Sequence, residues 1–198
     1  MYEFADKTIK YLNKRYIEIF RKLKRNVRSL AKLDEVTTLG YVTETYKQLN
    51  EITTPMLIEI AKRAYKDANP DGTLYDMWVL GYLDAFNPTS TYIYTKEAER
   101  KKFRTYEAIM SRNAAAKSFD VAMRYWAQMV AEYAIEITDA ATLQAYRDIG
   151  IKKIIWFTEE DDRVCHICRE RQGKVYDIDK IPPKPHWGCR CYYIPVKQ

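Results

Sequence analysis

Residues 165–191 read CHICRERQGKVYDIDKIPPKPHWGCRC and decide the fold of the C-terminal part of the chain. Cys165 and Cys168 form a CxxC pair, and a second cluster of His186, Cys189 and Cys191 follows after seventeen residues. Two short-spaced groups of this kind can supply four nitrogen and sulfur ligands, the tetrahedral set that a structural Zn²⁺ prefers. The pattern therefore predicts a small metal-clamped module.

Five residues compete for the four ligand positions. His186 and Cys189 repeat the two-residue spacing of the first pair, which favours Cys165, Cys168, His186 and Cys189 as the ligands. Cys191 could replace either His186 or Cys189. The sequence leaves this choice open, so all five residues are candidate metal ligands.

We interpret the metal as structural zinc rather than a catalytic ion. The protein can fill all four positions, whereas a catalytic zinc keeps one position open for water. A module this small also buries too little apolar surface to fold without a metal ion or another cross-link. Two disulfides or buried free thiols are the alternatives, and iron would accept the same ligands in principle. We expect His166, inside the CxxC pair, to point away from the metal.

Outward from this motif the periodicity changes at Gly150. Towards the C-terminus, β-branched and aromatic runs predict three short strands. Towards the N-terminus, apolar residues at helical spacing predict a helical body. The strands are expected near 152–158, 173–176 and 191–196, and the helices near 4–33, 36–49, 55–68, 73–85 and 95–135, with a further short helix capped by Thr138 or Asp139 and ended by Gly150.

The predicted fold is mostly α-helical with a small C-terminal α+β module. We divide the chain into a helical arm (1–33), a helical body (34–150) and a β-rich metal-binding module (151–198), with a weak boundary near 87–94. The apolar side of the last long helix is expected to form core, through Phe119, Met123, Trp126, Val130 and Tyr133.

The first helix carries the basic character of the whole chain. Residues 1–33 hold ten Lys and Arg against three acidic residues, while the net charge of the entire chain is +6. Such a helix either docks on its own domain with a solvated basic face, or reaches out to an anionic surface or partner helices. The candidate nucleic-acid or partner-binding residues are Lys14, Arg15, Arg21, Lys22, Lys24, Arg25 and Arg28.

Several function classes lack support in the sequence. Both histidines lie in the metal motif, which leaves none for a Ser-His-Asp or Cys-His arrangement in the helical body, and no phosphate-binding glycine loop is present. No apolar run approaches the roughly 20 residues that span a bilayer. The N-terminal residues do not resemble a signal peptide, so we expect a cytosolic protein with reduced cysteines. Because the sequence contains no catalytic arrangement, we also expect no enzymatic activity.

Five stretches of the C-terminal part resemble a known signature. They read AYRDIGI (145–151), IWFT (155–158), DDRVCHIC (161–168), GKVY (173–176) and PHWGCRC (185–191). Together they resemble the C-terminal signature of tailed-phage minor head proteins, the head-morphogenesis family typified by the F protein of phage Mu. The close resemblance covers about residues 140–195, and the helical remainder is similar only in character.

The resemblance implies a component of the procapsid that is bound at or near the portal. Such a protein would aid head assembly and genome packaging or delivery, with the portal and other procapsid proteins as partners. Its location would be the virion, and the host cytoplasm during assembly. Packaged DNA is a further possible partner for the basic first helix.

Two other functions compete with this one. A zinc-knuckle protein that binds nucleic acid would need arginine or aromatic side chains near the knuckles for base recognition, and Arg163, Arg169, Arg171 and Arg190 are available. A zinc nuclease would need an open coordination position and a histidine that is not a ligand, for which only His166 could serve.

Overall fold

The computed structural model describes residues 2–85, 93–159, 164–186 and 188–196. Helices precede a small sheet along the chain, as the sequence predicts. The described elements are α1 (Glu3–Arg28), α2 (Glu35–Ala68), α3 (Asp76–Asp84), α4 (Tyr94–Ser111), α5 (Ala116–Asp148), β1 (Lys153–Phe157), α6 (His166–Arg171), β2 (Val175–Asp177) and β3 (Tyr192–Pro195). The fold class predicted from the sequence is confirmed.

Helices α1, α2, α4 and α5 pack around one apolar core. Aromatic rings meet edge to face at its centre: Trp126 lies 5.3 Å from Tyr46 and 6.3 Å from Tyr16, measured between ring centroids. Such edge-to-face pairs add stabilisation beyond the area they bury. Four of the five predicted core residues of α5 are buried, and Met123 is partly buried.

Of the two alternatives for the first helix, the structure shows the docked one. One face of α1 is buried against α2 and α5, through residues that include Leu12, Tyr16, Leu23 and Val27. The helix ends at Arg28, so the predicted extension to residue 33 is wrong. Ser29 is the C-cap, and Asp34 then starts α2 by accepting a hydrogen bond from the backbone N–H of Thr37 at 2.8 Å.

The predicted break between residues 49 and 55 is also wrong, because α2 runs through Pro55 without interruption. Pro55 is exposed, so its ring meets no neighbouring helix. Two residues earlier the buried Thr53 hydroxyl donates to the Leu49 carbonyl at 2.6 Å. Burial of the flanking turns against the core outweighs the hydrogen bond that proline removes.

Two further helix boundaries differ from the prediction. The expected helix at 95–135 is interrupted after Ser111, where Asn113 and Ala114 adopt positive φ angles of 44° and 54°. Neither Thr138 nor Asp139 caps a short helix, because both lie inside α5; the Thr138 hydroxyl donates back to the Ala134 carbonyl. Gly150, with φ at +80°, follows the end of α5 as expected.

The C-terminal sheet is antiparallel throughout, with the strand order β2-β1-β3. All three strands lie within or next to the stretches predicted from the sequence. Trp156 in β1 is fully buried and packs edge to face with Tyr193 of β3, with ring centroids 5.5 Å apart. This second core joins Leu143 and Tyr146 of α5 to the sheet and three of the cysteines.

None of the described helices is long and apolar enough to cross a membrane. The weak boundary expected near 87–94 falls mostly on residues 86–92, which lie outside the described ranges. The division into three segments stays a prediction.

Candidate metal centre

The two halves of the cysteine motif reach the centre from different elements. Cys165 is the N-cap of the short helix α6, and its sulfur accepts a hydrogen bond from the Cys168 backbone N–H at 3.4 Å. Cys168 lies in the first turn of α6 and is buried. His186, Cys189 and Cys191 come from the loop before β3. Local capping and the strand pairing therefore bring the two halves together.

Ligand atoms of all five candidate residues converge in two overlapping groups. Cys165, Cys168 and His186 form one group, and Cys168, Cys189 and Cys191 form the other; within each group the ligand atoms lie within 4.8 Å of one another. The sulfurs of Cys168 and Cys189 are 3.6 Å apart. Cys168 belongs to both groups and therefore links them.

This donor set fits a tetrahedral metal. Zinc–sulfur bonds of about 2.3 Å at tetrahedral angles separate two thiolates by about 3.8 Å, close to the distance between Cys168 and Cys189. Soft sulfur ligands with one imidazole select zinc-like ions over hard cations such as Mg²⁺. The residues that would hold the ion are Cys165, Cys168, His186, Cys189 and Cys191, and the ion would cross-link the two halves of the motif.

The thiols influence one another strongly. The hydrogen bond from Cys191 and its other neighbours lower the pKa of Cys189 to about 5, while burial raises the pKa of Cys168 to about 12. The hydrogen bond to Cys189 raises the pKa of Cys191 well above its ordinary value. Burial opposes ionisation of Cys165, but hydrogen bonds from Cys168 and His186 outweigh it and lower the pKa. The cluster thus favours one buried thiolate, as a metal ligand requires.

All four cysteines are free thiols in the structure, so the two disulfides that were the alternative to a metal site are not formed. His166 is exposed and does not belong to either ligand group, as expected. A cleft of about 380 Å³ opens over the centre. Glu159 is the acidic side chain among the described residues that line it, and it is exposed.

A buried polar cluster supports the loop that carries Cys189 and Cys191. Asp139 of α5 accepts a hydrogen bond from the Tyr2 hydroxyl at 2.7 Å and forms an ion pair with Lys184. Tyr2 also donates to the Cys191 carbonyl at 2.8 Å, and Lys184 donates to the Cys189 carbonyl at 3.1 Å. We call these three residues the anchor triad. It ties the backbone of two candidate ligands to α1 and α5.

Two contacts at the edge of the triad fix the same loop. Arg190 makes a two-pronged ion pair with Asp6 of α1, at 3.0 and 2.8 Å, and its guanidinium lies 5.1 Å from the centre of the Tyr2 ring. The Gly188 backbone N–H donates to Glu132 of α5 at 2.8 Å, in a turn where Gly188 has φ at +70°. The metal centre is therefore joined to the helical body on two sides.

Sequence reasoning did not find the anchor triad. Tyr2, Asp139 and Lys184 are more than forty residues apart, and no spacing rule links them. Asp139 gave the one usable signal, since an acidic residue in an otherwise apolar helix face needs a partner when it is buried. The sequence pattern around Asp139 instead favours a helix cap.

The seven candidate basic residues of α1 stay on its outer surface. Six are exposed and Lys24 is half-buried. Arg15 has a loose ion pair with Glu18 at 3.8 Å, and Arg28 donates to the Ala114 carbonyl at 3.2 Å. Between these positions an open groove is lined by Glu18, Arg21, Lys24, Arg25, Arg28 and Ser29.

The fold and the site together describe a helical protein with a small C-terminal sheet. A Cys/His motif lies beside this sheet, which packs against one long helix, α5. Residues 104–194 match the family described as Phage Mu protein F like protein. This region, which runs from α4 through β3, therefore belongs to that family, and the resemblance predicted from the sequence is confirmed.

One curated relative is similar over a shorter region. An uncharacterized protein of Haemophilus influenzae is 30% identical over 66 residues, which cover 31% of this chain and 15% of that protein. The chain thus spans a small part of the length of this relative. No solved structure matches the chain.

Proposed function

We propose that this protein is a minor head protein of a tailed phage that associates with the portal and aids head assembly and genome packaging or delivery. The observation that carries the proposal is the family match over residues 104–194, which includes α5, the C-terminal sheet and the five candidate metal ligands. The protein would work in the virion, near the portal, and in the host cytoplasm while heads assemble.

In this proposal the metal is a structural zinc and the protein is not an enzyme. The five candidate ligands exceed the four positions of a tetrahedral ion, so the chain can saturate the metal. The centre is also tied to α1 and α5 by buried hydrogen bonds, which suits a rigid staple. A rigid C-terminal module on a helical body is a surface that a ring-shaped partner can bind with little loss of conformational entropy.

The basic face of α1 is the proposed contact with packaged DNA. Six of its seven candidate lysines and arginines are exposed, and only Arg15 of the seven has an ion pair with a described acidic residue, so they can replace the counterions of phosphate groups. This contact would be independent of base sequence and would weaken with added salt.

Association with the portal can be tested directly. The purified protein, loaded with zinc, is mixed with portal rings of the same phage and sedimented through a sucrose gradient. We expect it to migrate with the rings and to lose this association when the loop is released by Cys168→Ser. Migration as free protein at all concentrations tested would refute the portal assignment.

The zinc-knuckle alternative receives less support from the geometry. Arg190 is held by Asp6, and Arg171 donates to the Pro183 carbonyl at 2.7 Å while its guanidinium packs 4.9 Å from the Trp156 ring centre. Two of the four arginines that could read bases are therefore engaged within the protein. Sequence-dependent binding of short oligonucleotides, abolished by Arg169→Gln, would favour that alternative.

A further inference from the structure

A cleft of about 220 Å³ lies between α4 and α5, near the turn that joins them. Three basic side chains line it, and no acidic side chain does. The lining residues are Tyr46, Lys101, Arg104, Thr105, Ala108, Arg112, Ser118, Val121, Ala122 and Tyr125. We call this the α4–α5 cleft.

The positive charge of the cleft is only partly neutralised. Lys101 pairs with Glu97 at 3.1 Å, but Glu97 is shared with Arg100. Among the residues that the structure describes, no carboxylate lies within ion-pair distance of Arg104 or Arg112. Both arginines are exposed and point their charge to solvent. An anion would therefore find two guanidinium groups that no protein group occupies.

The hydroxyl groups of the cleft are already used inside the bundle. Thr105 is hydrogen-bonded to Tyr46 at 2.6 Å, and Ser118 donates to the Ala108 carbonyl at 2.8 Å. What remains open to a ligand is the pair of arginines and the ring of Tyr125, which is 57% exposed. Lys101 lies 5.5 Å from the centre of that ring. Cations beside an exposed aromatic ring are typical of surfaces that bind nucleic acid strands.

The N-terminal end of α5 adds to the positive electrostatic potential of the cleft. This 33-residue helix has no side-chain cap at Ala115, so its first backbone N–H groups and the positive end of its dipole meet the same region. Ser118, in the first turn, lines the cleft directly. The helix end supplements the arginines and is not needed as a site by itself.

The α4–α5 cleft adjoins the basic groove of α1. Arg28 lines that groove and donates to the Ala114 carbonyl, two residues from Arg112 of the cleft. Arg21, Lys24 and Arg25 extend the positive surface along α1. Two segments that are distant in sequence thus contribute to one basic end of the molecule.

We propose that the α4–α5 cleft binds the phosphate backbone of a nucleic acid strand that continues along the basic groove of α1. The choice of nucleic acid as the source of phosphate rests on the proposed function, and the cleft extends the contact beyond the first helix. Arg104 and Arg112 hold the phosphates, and the Tyr125 ring is open to an adjacent base or sugar.

The test measures fluorescence anisotropy of a short fluorescein-labelled DNA duplex and of the corresponding single strand over a range of salt concentrations. The variant is Arg104→Gln with Arg112→Gln. Its matched control is Arg63→Gln with Lys180→Gln, which removes the same charge from exposed positions remote from the cleft. The side chains of Arg104 and Arg112 make no hydrogen bond to another described residue, so we expect both double variants to fold, which circular dichroism can verify.

We expect the cleft variant to weaken binding at least ~10-fold and to reduce the slope of log K against log salt by about two, since each phosphate contact contributes roughly 0.9. The control should change the slope by much less. Equal behaviour of the two variants, or a wild-type protein that does not bind DNA, would overturn the proposal. The assay contains no portal, so its outcome is independent of portal association.

Discussion

Asp139 illustrates how one residue links the helical body to the metal centre. Burial raises the pKa of its carboxyl group, while Lys184 and the Tyr2 hydroxyl act in the opposite direction by stabilising the charged form. A buried carboxylate without such partners would cost several kcal/mol. The same two partners also bind the carbonyl groups of Cys189 and Cys191. The contacts that stabilise the charge of Asp139 therefore also position the backbone of two candidate ligands.

The Tyr2 hydroxyl is the member of the anchor triad that can be removed most cleanly. Tyr2→Phe keeps the buried ring but deletes the hydrogen bonds to Asp139 and to the Cys191 carbonyl. We expect the free energy of unfolding to fall by about 1–3 kcal/mol, because the buried Asp139 carboxylate and the Cys191 carbonyl lose the single hydroxyl hydrogen that they share. Urea denaturation followed by circular dichroism measures the change.

Tyr11→Phe provides the control for that substitution. Tyr11 lies in α1 and is 55% exposed, and its hydroxyl makes no hydrogen bond to another described residue. Its replacement should leave the free energy of unfolding within about 0.5 kcal/mol of the wild-type value. Equal effects at the two positions would show that the triad does not contribute to stability.

Glu97 gives the protein an acid-sensitive contact. Burial opposes its charged form, but hydrogen bonds from Arg100 and Lys101 outweigh burial and lower its pKa below the ordinary value of 4.5. A carboxyl whose pKa is lowered in the folded state stabilises the protein above its unfolded pKa, and this contribution disappears as pH falls through the folded value.

The variant Glu97→Gln should therefore lower the free energy of unfolding by about 1–2 kcal/mol near neutral pH and by less in acid, where the wild type has lost the same contribution. Glu99→Gln is the matched control, since Glu99 pairs with Lys102 but is 60% exposed. Denaturation curves at several pH values test this. A constant difference between Glu97→Gln and the wild type from neutral to acid pH would contradict the assignment.

At the scale of elements, the strands are predictable because their signals are local. The run from 152 to 158 is apolar and β-branched, and the structure places β1 inside it. The helix ends are less predictable. Leu30 and Leu33 continue an apolar spacing in the sequence, yet α1 ends at Arg28, because the chain must turn to let Asp34 cap α2.

Proline shows the same difference between local and tertiary effects. Its chemistry favours a helix start at residue 55, but the turns on both sides carry buried residues such as Thr53 and Leu57. Packing of these residues against the core keeps α2 continuous. The five metal candidates, by contrast, are predictable because each half of the motif has a short, characteristic spacing, while the pairing of β3 with β1 brings the two halves together.

The continuous α2 leads to a prediction of increased stability. Pro55 is exposed, so Pro55→Ala removes no packing and restores one backbone hydrogen bond within the helix. We expect the free energy of unfolding to rise by about 1–3 kcal/mol. Glu59→Ala, at an exposed position one turn later, controls for general helix propensity and should change stability little. Destabilisation by Pro55→Ala would mean that α2 is broken at this point in solution.

At the scale of the whole molecule, the candidate metal centre lies where the first turn of α1 contacts the loop before β3. Tyr2 and Asp6 belong to the first turns of α1 or precede them, and they contact the loop that leads into the last strand. The family match begins within α4, so α1 to α3 lie outside the matched region although they share its core. The basic surface proposed for DNA combines both regions.

This arrangement predicts that metal binding and the stability of the C-terminal module are inseparable. A metal ion held by both α6 and the loop before β3 would fix the carbonyl groups that the anchor triad binds. Removal of the metal by a chelator should therefore expose the module to limited proteolysis while the helical body stays protected. Equal protease resistance with and without chelator would contradict this coupling.

The most direct measurement is the metal content of the reduced, purified protein by elemental analysis, made on the wild type, Cys168→Ser and the matched control His166→Ala. We predict about one zinc per chain in the wild type and in His166→Ala, and loss of zinc in Cys168→Ser, because Cys168 belongs to both ligand groups. Absence of metal from wild-type protein that has never met a chelator, or full zinc content in Cys168→Ser, would contradict the metal centre.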